Sequence, residues 1–161
     1  NITGFMVGKK YENAGIAKDG AKMVNAVATS TVPRFTVIIG GSFGAGNYAM
    51  CGRAYDARFL FSYPNSQISV MGMEQAAKTL TQIRLKALER KGKTLSQKES
   101  RQIYDGIAQD YLEKSSAYYS TSELWDDGII DPADTRKVLG ISLSVALNRE
   151  FTETPNGVLR I

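Results

Sequence analysis

Apolar and polar positions alternate along this chain with two different periods. Between Ile16 and Ser30, the residues Ile16, Met23, Val24, Val27 and Ala28 fall on one helical stripe, with Asp19 in the first turn. This spacing predicts a helix, stopped by Pro33. Phe35-Thr36-Val37-Ile38-Ile39 is a short β-branched run and predicts a buried strand. Phe59-Leu60-Phe61-Ser62 and Gln67-Ile68-Ser69-Val70 predict two further short strands around Pro64-Asn65. From Glu74 the period becomes helical. Ala76, Ala77, Leu80, Ile83, Ala87 and Leu88 share a face through Arg90, and Gly92 breaks the run. Ser96 and Glu99 match a capping box at the head of the next helix. Its stripe is Ile103, Tyr104, Ile107, Ala108, Tyr111 and Leu112. Asp131 and Pro132 suit the N-cap and first position of a last helix, lined by Val138, Ile141, Ser142, Val145 and Ala146.

The intervening stretches are less regular. Asn1 to Gly8 reads as a strand end entering a glycine-bearing loop, and Lys9 to Gly15 as a polar loop. Gly40 to Gly46 is a glycine-rich turn, and Asn47 to Gly52 a short helix of small residues. Leu124 to Ile130 is a short apolar segment holding the one Trp, and Phe151 to Ile161 a polar tail. The order predicts an α/β fold: an α/β part over 1–73, then a mostly helical part over 74–161 with helices at 74–90, 96–118 and 132–148.

Composition narrows the chemistry. At 161 residues, 43% hydrophobic and 22% charged, the chain has the make-up of a globular domain, not of a disordered or fibrous one. The uncharged run Phe35 to Gly52 is long enough for a membrane span. Gly40, Gly41, Gly44, Gly46, Gly52, Ser42 and Asn47 argue against one. No charged and then apolar leader opens the chain. A single cysteine, Cys51, excludes an internal disulfide and a Cys-rich zinc site. The absence of histidine excludes a Ser-His-Asp triad, a Cys-His pair and a His-ligated metal within the chain. Catalysis must then come from other groups or from a cofactor.

The net charge of +4 is unevenly placed. Arg84, Lys86, Arg90, Lys91, Lys93, Lys98 and Arg101 face only Glu89 and Glu99 in the same stretch. The bland reading is a solvated helix end, and the functional one a phosphate patch. No aromatics interleave, so single-stranded nucleic acid is a poor fit.

The richest candidate site is Thr36 to Met50. A strand feeds a glycine turn and then a helix start, a junction that leaves backbone N–H groups pointing outward. Such donors bind an anion or stabilise an oxyanion. A Walker-type phosphate loop lacks its Lys-Ser/Thr ending here, and the glycine spacing does not fit a Rossmann turn. Gly40-Gly41-Ser42-Phe43-Gly44 fits the pattern of a nucleophile elbow, but that motif needs a histidine base. An oxyanion hole needs only main-chain donors. From spacing alone it stands level with a close-packed turn that merely requires small residues. Asn1 to Gly8 is a second glycine-bearing strand end, able to face the same cleft. Glu12, Asp19 and Glu74 are isolated carboxylates and fit surface or capping roles.

Several stretches in order carry a family resemblance. They are Ile2-Thr3-Gly4-Phe5-Met6-Val7-Gly8, Gly15 to Val24, Gly40-Gly41-Ser42 with Gly44-Ala45-Gly46-Asn47-Tyr48, and Met50-Cys51-Gly52-Arg53-Ala54-Tyr55. Pro64-Asn65, Ile68 to Gly72 with Glu74 to Ala77, and Asp127 to Pro132 with Thr135-Arg136 continue the series. Together they resemble the carboxyltransferase (β) subunits of biotin-dependent acyl-CoA carboxylases, most closely the methylcrotonyl-CoA branch. The geranyl-CoA branch shares most of these words, and the propionyl-CoA branch differs at both glycine turns.

The resemblance implies a crotonase-like (ClpP/crotonase) superhelix of β-β-α units, and a fragment from the C-terminal carboxyltransferase domain. Such a fragment alone is expected to be inactive. It also implies transfer of a carboxyl group from carboxybiotin to 3-methylcrotonyl-CoA, as in leucine catabolism. By resemblance, the backbone N–H groups of Ala45 and Gly46 form the oxyanion hole for the biotin ureido oxygen. Phe43 and Gly44 shape that turn, and Thr3, Gly4 and Phe5 form the other wall of the biotin pocket. Biotin supplies the base, in keeping with a chain that lacks histidine. The implied partners are a biotin carboxylase/biotin carrier subunit, further carboxyltransferase subunits and acyl-CoA. No metal in this chain, no nucleic acid and no membrane are implied. The implied compartment is the cytoplasm in a bacterium or the mitochondrial matrix in a eukaryote. Met73, Ala57 and Tyr63 depart from the family's usual glycine, proline and tryptophan. A crotonase-type hydratase/isomerase and a non-catalytic assembly fragment are the alternatives of other classes.

Overall fold

The computed structural model describes residues 1–93 and 95–150; the polar tail lies outside them. Two short helices, α1 (Lys9–Asn13) and α2 (Ile16–Thr29), precede the first strand. Two β-β-α units follow. The first is β1 (Phe35–Ile38), β2 (Gly41–Phe43) and α3 (Ala45–Ala49). The second is β3 (Phe59–Ser62), β4 (Gln67–Ser69) and α4 (Met73–Glu89). Helices α5 (Gln97–Ser115), α6 (Ala117–Ser122) and α7 (Thr135–Ala146) complete the described residues.

The units stack strand on equivalent strand. β1 pairs parallel with β3, Phe35 opposite Phe59, and β2 pairs parallel with β4, Gly41 opposite Gln67. Parallel neighbours require a crossover, which β2, α3 and a 3-10 turn at Arg53–Tyr55 supply. Single bridges extend the stack on both sides: Ile2 pairs with Ser42, and Ile129 with Ser62. This is the β-β-α repeat expected from the resemblance.

Ile38, Cys51, Ala57 and Leu60 form the core, with Val27, Tyr55 and Ile68 packed against it. The rings of Phe35, Phe59 and Phe61 stack along the β1–β3 sheet. Ala57 is thus a core residue, and its small side chain suits that place. Asp127 clamps β3, because its carboxylate accepts the Leu60 N–H at 2.8 Å and pairs with Arg53 at 3.1 Å. Tyr63 ties β3 to α7 by a 2.7 Å hydrogen bond with the Thr135 hydroxyl. Met73 is the first residue of α4.

Several elements differ from the sequence expectation. The polar stretch after Gly8 closes one helical turn, α1, because the Glu12 carboxylate reaches back to accept the Gly8 N–H. Gly40 to Gly46 is not all turn, since Gly41–Phe43 is strand β2. The short helix opens at Ala45 and ends at Ala49, ahead of the expected Asn47 to Gly52. The helix expected over 96–118 breaks at Ser116. The Ser116 hydroxyl donates to the Glu113 carbonyl and accepts the Tyr119 N–H, ending α5 and opening α6. That break frees Ser116 to bridge Gln67 of β4. Asp131 and Pro132 open a 3-10 turn, Pro132–Asp134, and α7 starts only at Thr135.

The predicted core faces of α4 and α7 are only partly buried. Small residues make the contacts: Ala76, Ala77 and Thr81 on α4, Ser142 and Ala146 on α7. Leu80, Ile83, Ile141 and Val145 are exposed.

Candidate functional site: a turn of main-chain donors

The Gly-rich turn is assembled by three neighbouring segments. The strand end at Ile2 lies against β2: the Ile2 N–H donates to the Gly41 carbonyl, and the Phe43 N–H to the Ile2 carbonyl. On the other side, the Gly44 N–H donates to the Ser69 carbonyl at the end of β4. Gly44 has φ 59° and ψ −147°, a conformation accessible in practice to glycine alone. It reverses the chain from β2 straight into α3.

This reversal sets the positions of Ala45 and Gly46. They are the first two residues of α3, so their N–H groups have no carbonyl one turn behind them. Among the described residues neither N–H has an acceptor. Ala45 is exposed and Gly46 buried. Gly46 is buried because the first strand end crosses directly over it. A Cβ at Gly46 would lie 2.5 Å from Ile2 Cγ2 and 3.4 Å from Gly4 Cα. Gly4 in turn sits against the Phe43 carbonyl, its hypothetical Cβ 3.4 Å from that oxygen. The structure therefore brings Gly4 together with Phe43 and Gly46. Phe5 turns the other way, its ring against Gly20 of α2.

Asn47 and Ser42 brace the turn from behind. The Asn47 side-chain amide donates to the Ser42 hydroxyl at 2.8 Å. Ser42 is 2% exposed. A hydroxyl buried and held in that way is a structural post, which removes the nucleophile-elbow reading. Gly52 leaves room for the Asn47 side chain, since a Cβ there would strike it. Sequence reading missed Asn47 and Gly52 as supports. The helix start at Ala45, two residues ahead of expectation, is what leaves both amides unpaired. A cavity of about 290 Å³ lies behind the turn, lined by Ile2, Thr36, Ile38, Ser42, Asn47 and Gly52 among others.

Ionisable groups contribute little here. Glu74, at the head of α4, has its carboxyl held below the ordinary range by a hydrogen bond and ion pair with Lys78. Among the described residues no three His, Cys, Asp or Glu side chains group to hold a metal ion. No helix among them is long and apolar enough to cross a membrane. The donor set is main-chain, so what it can do is hold an anionic or strongly polarised oxygen.

Comparison with known proteins gives the chain its family. The carboxyl transferase domain family matches residues 1–158. The chain is 58% identical over its full length to a probable methylcrotonoyl-CoA carboxylase beta chain, mitochondrial, of Drosophila melanogaster, of which it covers 28%. It is 53% identical over its full length to a biotin-dependent 3-methylcrotonyl-coenzyme A carboxylase beta1 subunit of Mycobacterium tuberculosis, covering 30% of it. Among solved structures, the β subunit of geranyl-CoA carboxylase from P. aeruginosa superposes with a TM-score of 0.78 at 43% identity. That match takes in 97% of this chain and 30% of that subunit. The chain thus spans less than a third of the length of these relatives.

Proposed function

The chain belongs to the carboxyl transferase domain family, and from that premise we propose that it is the biotin-facing part of an acyl-CoA carboxyltransferase acting on 3-methylcrotonyl-CoA. The observation that carries this reading is the pair of unpaired amides at Ala45 and Gly46, in a turn that Gly44 reverses and Gly4 overhangs. A ureido oxygen suits such a site. It is uncharged before transfer, gains negative charge as the carboxyl group leaves, and needs donors already in place. Gly4 packs directly against Gly46, so the first strand end lies beside the two amides with no side chain of either residue between them.

Carboxybiotin, presented by a partner, supplies the carboxyl group and the nitrogen that accepts the substrate proton. The chain's own residues do the rest of the work proposed here. Ala45 and Gly46 donate to the ureido oxygen. Gly44 and Phe43 hold the donors in place, with Gly44 anchored on Ser69. Thr3 and Gly4 form the facing wall, and Phe5, expected there by resemblance, instead anchors this segment on Gly20 of α2. Each donor contributes on the order of 3 kcal/mol to the transition state in a comparable hole.

The acyl-CoA site and the biotin carboxylase/carrier subunit lie on the rest of a longer protein and its partner. Leu80, Ile83, Ile141 and Val145 are apolar surface available to further subunits of the same kind. The Drosophila relative is described as mitochondrial; the matrix, or the cytoplasm of a bacterium, is the compartment this reading places it in. A second reading, geranyl-CoA as substrate, draws on the 43% identity to the P. aeruginosa subunit. The test uses the full-length subunit containing this segment. Biotin-dependent decarboxylation of 3-methylglutaconyl-CoA is the expected result. Turnover only with the carboxylated geranyl analogue would move the assignment to the second reading, and silence with both would remove it.

A further inference from the structure

The basic run singled out in the sequence proves to be the free tip of a helical hairpin. Helices α4 and α5 pack against each other, and just past the end of α4 Gly92 takes φ +72°. Arg84, Lys86, Arg90, Lys91, Lys93, Lys98 and Arg101 are all exposed. Among the described residues only Arg101 has an acidic partner, Asp105 at 3.0 Å. Of the two acids in the stretch, Glu99 is held in the capping box, its carboxylate accepting the Ser96 N–H and hydroxyl. The tip therefore carries a net +5, whereas the whole chain carries +4 and the remainder −1.

The form of the patch narrows its partner. Among the described residues no large apolar side chain is exposed from Arg84 to Arg101, so a lipid surface would be held there by charge alone. No aromatic residue lies in that stretch to stack a base. A charged patch with neither stacking nor inserting side chains suits an acidic face of a folded protein.

The distance to the candidate turn points to which protein. Only residues 70–72 separate β4, whose end holds Gly44, from the start of α4. The 17 residues of α4 then carry the chain about 25 Å to the basic end. A small ligand in the turn cannot reach that far. A domain of under 100 residues, with a radius of gyration of about 13 Å, can touch both. We propose that the α4–α5 tip is an electrostatic docking surface for an acidic face of the carrier domain that presents biotin to the turn. This inference rests on the carboxyltransferase reading above.

The test uses the full-length carboxyltransferase and compares two acceptors, free biotin and the isolated biotinylated carrier domain. The variant is Lys91→Gln/Lys93→Gln/Lys98→Gln, three exposed positions remote from the turn. With the carrier domain, KM is expected to rise about tenfold at low salt, and its salt dependence to flatten. With free biotin, kcat and KM are expected to stay as in the wild type. An unchanged KM for the carrier domain would overturn the inference. So would equal losses with both acceptors, or loss of binding to phosphatidylserine vesicles with carrier kinetics intact. A wild type silent with free biotin would instead withdraw the carboxyltransferase reading, and this inference with it.

Discussion

Substituting Gly46 by alanine tests whether the crossing of the first strand end over α3 matters for chemistry. The added Cβ would lie 2.5 Å from Ile2 Cγ2. Ordinary carbon–carbon contact is about 3.5–4.0 Å, so something must move by about 1 Å. Ile2 cannot swing aside easily. Its side chain is β-branched, and its backbone is bonded to Gly41 and Phe43. The strand end or the start of α3 must give instead, which separates Gly4 from the two amides. Overpacking of this kind costs about 1–3 kcal/mol of stability. A donor displaced by about 1 Å costs on the order of 100-fold in rate. The assay is biotin-dependent decarboxylation by the full-length subunit, with melting temperature followed in parallel. The compensating change is Ile2→Ala, which removes Cγ2 but keeps both backbone hydrogen bonds. The double variant Ile2→Ala/Gly46→Ala is expected to recover most of the rate lost by Gly46→Ala, with a coupling above about 0.5 kcal/mol. Strict additivity, or full activity in Gly46→Ala alone, would refute the reasoning.

Three further outcomes follow from the same geometry. Ser42→Ala is expected to keep activity within a few-fold, while Asn47→Ala lowers stability by about 1–2 kcal/mol because the buried Ser42 hydroxyl loses its donor; a Ser42→Ala enzyme slowed by orders of magnitude would restore the nucleophile reading. Asp127→Ala leaves the N–H of fully buried Leu60 without its side-chain acceptor, so denaturant unfolding is expected to show a loss of about 1–3 kcal/mol. Glu99 has its carboxyl held below the ordinary range, first by the Ser96 hydroxyl and then by the Ser96 N–H. Because its folded pKa is depressed, the capping contribution is complete above the ordinary glutamate value and fades as pH falls through the lower folded one. NMR titration should place the Glu99 midpoint below that of an exposed glutamate, and Ser96→Ala, which removes the hydroxyl but keeps the N–H, should return it in part; an unshifted midpoint counts against the capping box.

Legibility in the sequence followed how local each determinant is. The helices α2, α4 and α5 were readable because their apolar stripes and the Ser96–Glu99 box are encoded within a few turns. Strands β1, β3 and β4 were readable from their own residues, but β2, written in glycine, and the parallel pairing were not, because both depend on partners far along the chain. The break at Ser116 was hidden for the same reason, since its bridge goes to Gln67. The faces of α4 and α7 were misjudged because period gives a stripe and not its depth of burial. At the candidate site, the glycine turn stood out, and the resemblance pointed to Ala45 and Gly46. The residues that fix the turn were silent. The contacts of Gly46 with Ile2, Asn47 with Ser42, and Gly52 with the Asn47 side chain are all tertiary.

A site made of peptide N–H groups also has a consequence for ionisation. A backbone amide keeps its proton at any pH at which proteins stay folded. The proposed contribution of Ala45 and Gly46 is therefore flat across pH, and every limb of a pH–rate profile belongs to the cofactor, the acyl-CoA or side chains elsewhere. The same property sets how the site is to be probed. Replacing either amide by an ester, through an α-hydroxy acid at Ala45 or Gly46, deletes a donor while leaving shape and titration intact.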